Sequence, residues 1–177
     1  MIIRLATSTD LAALNDIYAA ARRYMAQSGN PSQWGTTKPT AEEIARTVEQ
    51  GVCYVGCMDA EECQSEGEGA RPCCAFTLYD VDDPTYQHIY EGAWPNSEAY
   101  ATIHRVASDG RAHGVFGSIV AFATQYARER GMRNIRIDTH EDNRTMQHLV
   151  TKAGFAWCGI IHLANGDPRL AYQLTLS

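Results

Sequence analysis

The chain has 177 residues, 45% of them hydrophobic and 20% charged, a globular composition of a size that suits a single domain over residues 1–177. Its net charge of −6, from 21 acidic and 15 basic residues, argues against the basic footprint that nonspecific nucleic-acid binding needs. No apolar run approaches the ~20 residues of a membrane-spanning helix, and Met1-Ile2-Ile3-Arg4 lacks the basic and apolar regions of a signal peptide, so a cytoplasmic protein without membrane contact is expected.

In chain order, Ile2 to Ala6 reads as a first strand, and Asp10 as the N-cap of a helix carrying Leu11, Leu14, Ile17, Tyr18, Ala21 and Met25 at helical spacing. Gly29-Asn30-Pro31 stops that helix. Thr40 with Glu42 and Glu43 opens a second helix, which ends at Gly51. Val52 to Met58 and Cys73 to Tyr79 read as an antiparallel pair of strands. The acidic stretch from Asp59 to Pro72 joins them as a solvated hairpin loop. Residues 80–99 form a long loop with Tyr86, His88, Tyr90, Glu91 and Trp94; its aromatics either plug it onto the core or wall a substrate pocket.

Tyr100 to Ala107 is the next strand, followed by a helix over His113 to Arg130 with Val115, Ile119, Phe122, Ala123 and Tyr126 inward and Gly131 as its stop. Asn134 to Thr139 is a strand in which Ile135 and Ile137 alternate with Arg136 and Asp138. Strand, helix and strand of this length imply a parallel pair with a right-handed crossover. A helix opening near Asn143 follows, with Met146, Leu149, Val150 and Ala153 inward. Phe155 to Leu163 and Arg169 to Leu176 then form a hairpin around Asn165-Gly166-Asp167-Pro168. The order β-α-α-β-β-β-α-β-α-β-β predicts an α/β (α+β) fold: a mixed, mostly antiparallel sheet with one parallel pair and helices on both faces.

Six cysteines stand at 53, 57, 63, 73, 74 and 158. Only Cys53 and Cys57 approach a zinc spacing, so reduced, mostly buried thiols and no metal are expected.

The parallel step carries the chemistry. A strand running into a loop with Gly110, Gly114 and Gly117 and then into a helix presents a fan of backbone N–H groups to an anion. A Walker loop would need a lysine that is missing here. A dinucleotide fingerprint would need Gly-x-Gly-x-x-Gly in a doubly wound parallel sheet; Asp138 stands at a suitable distance, but the antiparallel-rich order is the wrong setting.

With Arg111-Ala112-His113-Gly114-Val115-Phe116 in the loop, and Asn143 and Gly154-Phe155 in the following helix, the chain resembles the GNAT superfamily of acyl-coenzyme A N-acetyltransferases over essentially its whole length. It looks closest to bacterial members with a His-Arg pair (His104-Arg105) and an Asp-Thr-His-x-x-Asn segment (Asp138 to Asn143). The resemblance implies acetyl-CoA as co-substrate. Its pyrophosphate would sit on the amides of Arg111, Ala112, His113, Gly114, Val115, Phe116, Gly117 and Ser118, its pantetheine arm along Val106, Ala107 and Ser108, and the Asn143 amide would reach it. It also implies a small-molecule or peptide amine as acceptor, and a homodimer as one arrangement. The chain departs from the pattern twice. Phe116 replaces a small residue, and Val150 stands where many relatives carry a tyrosine that protonates the leaving thiolate.

The expected reaction is direct attack of a neutral amine on the thioester, with a strand amide steadying the oxyanion. His104 is the candidate base, with a structural strand histidine as the alternative. Glu91, Glu98 and Tyr172 are further candidates, and His140 is expected to order the turn into Asn143. Cys53 or Cys158 as an acyl carrier competes with the buried-thiol reading. His162 and Arg169 either line the acceptor site or mark a sheet edge. A non-catalytic acyl-CoA sensor is the alternative to an enzyme.

Overall fold

A computed structural model of the chain describes residues 1–59 and 71–176. The expected acidic loop lies almost wholly outside these. Seven strands among the described residues are hydrogen-bonded in the order β1-β2-β3-β4-β5-β7-β6: β1 (Ile2–Leu5), β2 (Cys53–Cys57), β3 (Cys74–Tyr79), β4 (Tyr100–Ser108), β5 (Asn134–Thr139), β6 (Ala156–His162) and β7 (Pro168–Thr175). The α-helices are α1 (Leu11–Gln27), α2 (Ala41–Glu49), α3 (Val115–Glu129) and α4 (Arg144–Lys152). The recorded pairings are antiparallel except β4 with β5, the expected parallel step. The chain divides into two compact units, and both β4 and α3 pass from one to the other.

The first unit, Met1–Leu78 with Arg105–Ile119, holds β1, α1, α2 and β2. Leu14, Ile17, Tyr18, Ala21 and Met25 are buried along α1, as their helical spacing requires. Leu14, Ile17, Tyr18 and Ala21 meet Ile44 of α2 and Val55 of β2 in one apolar cluster. Thr40 caps α2 through a reciprocal box with Glu43. Asp10 stands at the N-cap position of α1 as expected, but its side chain makes no cap hydrogen bond. Its carboxylate accepts from Arg4 Nη1 at 2.7 Å and from the Thr7 amide at 2.8 Å, and a 3-10 turn over Ser8–Asp10 leads into α1. A buried aspartate beside a fixed guanidinium gains more from the pair than from a helix end.

The second unit comprises Tyr79–His104 and Val120–Ser177. Parallel pairing from Tyr100↔Asn134 to Ile103↔Ile137 puts Tyr100, Thr102 and His104 on the same face as Asn134, Arg136 and Asp138. That face is polar, yet Arg136 is only 4% exposed. The 80–99 segment covers it. The Arg136 guanidinium lies 3.9 Å from the Trp94 ring centroid and 3.8 Å from that of Tyr100. Its Nε donates to Gln173 Oε1 at 2.9 Å and its Nη2 to the Asn96 carbonyl at 3.3 Å. Asn96 and Asn134 exchange amide hydrogen bonds, and Trp94 Nε1 donates to the Tyr86 carbonyl. Farther along, Tyr90 and Ile160 exchange two backbone bonds of 2.8 Å. Gly159 has φ 143 there, where a Cβ would stand 2.5 Å from the Tyr90 carbonyl oxygen.

Removing the Arg136 head group leaves two aromatic faces and two polar partners without their cation. Arg136→Ala is expected to cost about 2–4 kcal/mol in urea unfolding, and Arg136→Lys to recover little of it, because an ammonium cannot stack between two rings. Equal stability of wild type and Arg136→Ala would show that the clamp contributes nothing.

Candidate active site

The glycine loop lies in the first unit. Ala107 is buried in the apolar cluster while Val106 and Ser108 beside it are half-exposed, the alternation expected of a strand. Arg105 breaks that extended run with φ 53. After Ser108 the chain turns through Asp109, whose amide donates to the Cys73 carbonyl at 3.0 Å. The Arg111 guanidinium folds back on its own loop. Its Nε meets Asp109 Oδ2 at 2.6 Å and its Nη2 donates to the Pro72 carbonyl at 2.9 Å. Ala112 is half-buried and His113 exposed.

Gly114 has φ 72, and the first ladder bond of α3 runs from the Ser118 amide to its carbonyl at 3.1 Å. The amides from Val115 to Gly117 precede that bond, so they belong to the turn whose N–H groups point out of the helix end. Phe116 is 5% exposed and Val115 8%. The bulky side chain at the end of the motif is thus turned inward. A Cβ placed on Gly114 or Gly117 would meet nothing within 4 Å, which leaves the backbone there open to a large ligand. The loop fits a phosphate-bearing group.

His104 lies in the second unit, half-buried, with its edge toward the rings of Tyr79 and Tyr86. Its Nε2 is 3.0 Å from Asp83 Oδ2 and its Nδ1 is 3.4 Å from Asp138 Oδ1. Burial works against charge on the ring, but the hydrogen bonds to Asp138 and Asp83 outweigh it and raise the pKa from 6.5 to about 9. Asp83 is likewise penalised by burial, but bonds from His104 and Thr85 outweigh the penalty and lower it from 3.8 to about 2. Tyr86, fully buried, donates its hydroxyl to Asp138 Oδ1 at 2.7 Å. The candidate base is therefore one member of a network, with a carboxylate at each nitrogen.

Asp83, Tyr86 and Asp138 as partners of His104 escaped the sequence reading. A signal existed: Asp83-Pro84-Thr85 is a turn signature, and the Asp83 carboxylate does accept from the Thr85 amide at 2.8 Å. Nothing in the sequence said that this turn would meet β4.

Asn143 caps α4, its side-chain oxygen accepting from the Met146 amide at 3.0 Å. His140 orders the preceding turn as expected, since its Nδ1 accepts from the Asp142 amide and its carbonyl from the Asn143 amide. Val150 is fully buried. Burial raises the pKa of Tyr172, an effect partly offset by Arg144. Glu91 and Glu98 are exposed. His162 stacks edge-on to Tyr90, while Arg169 is buried with its Nη1 donating to the Pro168 carbonyl. Among the described residues no three His, Cys, Asp or Glu side chains are grouped to hold a metal ion.

A GNAT-family acetyltransferase from Streptococcus agalactiae superposes with a TM-score of 0.80 at 28% identity, covering 99% of this chain and 95% of that one. This is the GNAT acetyltransferase fold. Salmonella typhimurium YncA, solved with its cofactor acetyl-CoA, matches with a TM-score of 0.61 at 15% identity over 99% of this chain and 94% of that one. A chain of the NatC complex, solved with Gag peptide and CoA, matches at 0.64 and 14% over 99% and 98%. No protein-family model matches the sequence, and no curated protein does. No helix among the described residues is long and apolar enough to cross a membrane.

The His104 network gives the protein a defined pH window. A histidine whose pKa is raised on folding contributes stability in full below 6.5 and loses it as pH climbs through about 9. Asp83, lowered on folding, contributes above 3.8 and loses it as pH falls toward about 2. The melting temperature of wild type relative to His104→Gln is expected to be highest between those limits, by roughly 1–3 kcal/mol of stability, and to converge above pH 9. A difference independent of pH would contradict the network.

Proposed function

We propose that the protein is an acetyl-CoA-dependent N-acetyltransferase that moves an acetyl group directly to a primary amine of a small molecule or peptide. The observation that carries this is the open loop from Arg111 to Ser118, with a GNAT fold around it. Bound acetyl-CoA supplies an acetyl thioester. The turn amides between Ala112 and Gly117 hold its pyrophosphate, assisted by the α3 dipole; of the expected set, the Arg111 amide is instead given to Asp109 Oδ1 and that of Ser118 to the Gly114 carbonyl. The backbone of Val106, Ala107 and Ser108 pairs with the pantetheine as an added strand, and the Asn143 carboxamide donates to it. Recognition through main-chain N–H groups accounts for tolerance of Phe116, whose ring is turned inward.

Direct transfer is favoured over an acyl-cysteine route by the thiols. Burial pushes Cys53 up to about 11 and raises Cys158, so neither is a ready thiolate. The described cysteines are free, which suits the reducing cytoplasm. With Val150 buried, the coenzyme thiolate departs without the tyrosine donor many relatives use; at a thiol pKa near ~8.5 it is stable enough to do so. That same residue favours a second reading, an acyl-CoA-binding module without turnover.

Calorimetry with acetyl-CoA is expected to show binding. Gly117→Leu is expected to keep the fold, because a Cβ at that position meets no atom within 4 Å, but to weaken binding by roughly tenfold or more. No binding to wild type at millimolar ligand would end both readings. Release of free thiol against a panel of amines separates the enzyme from the sensor.

A further inference from the structure

We propose that His104 is a positioning residue: as a cation donating from both ring nitrogens, it ties Asp83 of the 80–99 segment to Asp138 of β5 and so fixes that segment over the sheet. The contacts close a circuit. The turn Pro84–Tyr86 follows Asp83, and Thr85 holds Asp83 Oδ1 through its amide at 2.8 Å and its hydroxyl at 2.7 Å. That leaves Asp83 Oδ2 to His104 Nε2 at 3.0 Å. Tyr86 of the same turn reaches Asp138 Oδ1 at 2.7 Å, and His104 Nδ1 faces the same oxygen at 3.4 Å. Both ends of the turn therefore converge on one imidazole.

Only a ring protonated at both nitrogens can serve both carboxylates. A neutral imidazole has one N–H, and its other nitrogen would set a lone pair against a carboxylate oxygen. Asp83, Asp138, Tyr79 and Tyr86 face the ring, and none of these four supplies a second cation. In this arrangement His104 has no lone pair with which to take a proton from an amine. Its contribution to acetyl transfer is to hold residues 80–88 as the wall of the acceptor site, a role that rests on the acetyltransferase reading, whereas the latch itself does not.

The test therefore needs no substrate. Nitrogen-15 NMR of the histidine side chains in the full-length protein is expected to show His104 protonated at both nitrogens at pH 7 and titrating only in alkali. Hydrogen exchange of peptides covering residues 80–88 is expected to rise roughly tenfold or more in His104→Gln and in Asp83→Asn, with α1 peptides unchanged. Wild type is expected to show the same local rise, corrected for intrinsic exchange, between pH 7 and pH 10. A neutral His104 at pH 7, or protection of residues 80–88 indifferent to both substitutions and to pH, overturns the proposal. Acetyl-CoA binding and thiol release are separate readouts, so the latch and the acetyltransferase reading fail independently.

Discussion

A guanidinium in the middle of a strand has to be satisfied, and Arg136 determines how the second unit is built. Its position in β5, between Ile135 and Ile137 on the opposite face, puts the charge on the face it shares with Tyr100, Thr102 and His104. Burying such a group without partners would cost several kcal/mol. The 80–99 segment meets the requirement with the Trp94 ring and the Asn96 carbonyl, β4 adds the Tyr100 ring and β7 adds Gln173. The later part of the segment is tied to that one cation, since Trp94 and Asn96 both contact it.

Once the segment is anchored at Arg136, its earlier part has little freedom, and the His104 network makes use of this. Asp83 and Tyr86 arrive at β4 and β5 as a pair, each with one hydrogen-bonding group to contribute. Two carboxylates so close would repel one another in the absence of a cation between them. The imidazole removes the repulsion and gains a raised pKa in return. The polar face of β4 and β5 thus carries two cations, Arg136 and His104, held in opposite ways: one by aromatic rings and neutral oxygens, the other by acids.

Much of the fold was legible because its elements obey simple periodicities. The inward stripe of α1, the capping box at Thr40 and the alternation of β5 all lie where local spacing puts them. Misreadings came where a tertiary partner outcompeted a local role. Asp10 has the right identity and position for an N-cap, but Arg4 claims its carboxylate. The alternation of Ile135 and Ile137 with Arg136 and Asp138 reports only that the two faces differ, not what covers the polar one. The cover over the second face came from a loop whose sequence shows no period. His104 was singled out for its residue type, while its partners, 21 and 34 positions away, could be found only in three dimensions.

The difference in legibility follows from what each half of the reaction recognises. A pyrophosphate is held by backbone N–H groups at a helix end, so the sequence need only supply a turn, a helix and room, which Gly114 and Gly117 advertise. Side chains can drift there, as Phe116 has, provided they turn away. An amine acceptor offers no such generic handle and must be read by side chains in a particular arrangement. On the proposed reading, those side chains belong to the segment that Arg136 and His104 hold in place. Substitutions that preserve both anchors leave Val81, Gln87 and His88, exposed on that segment, at liberty to vary. One scaffold can therefore keep its donor and change its acceptor, which is why the cofactor can be inferred from the motif and the amine cannot.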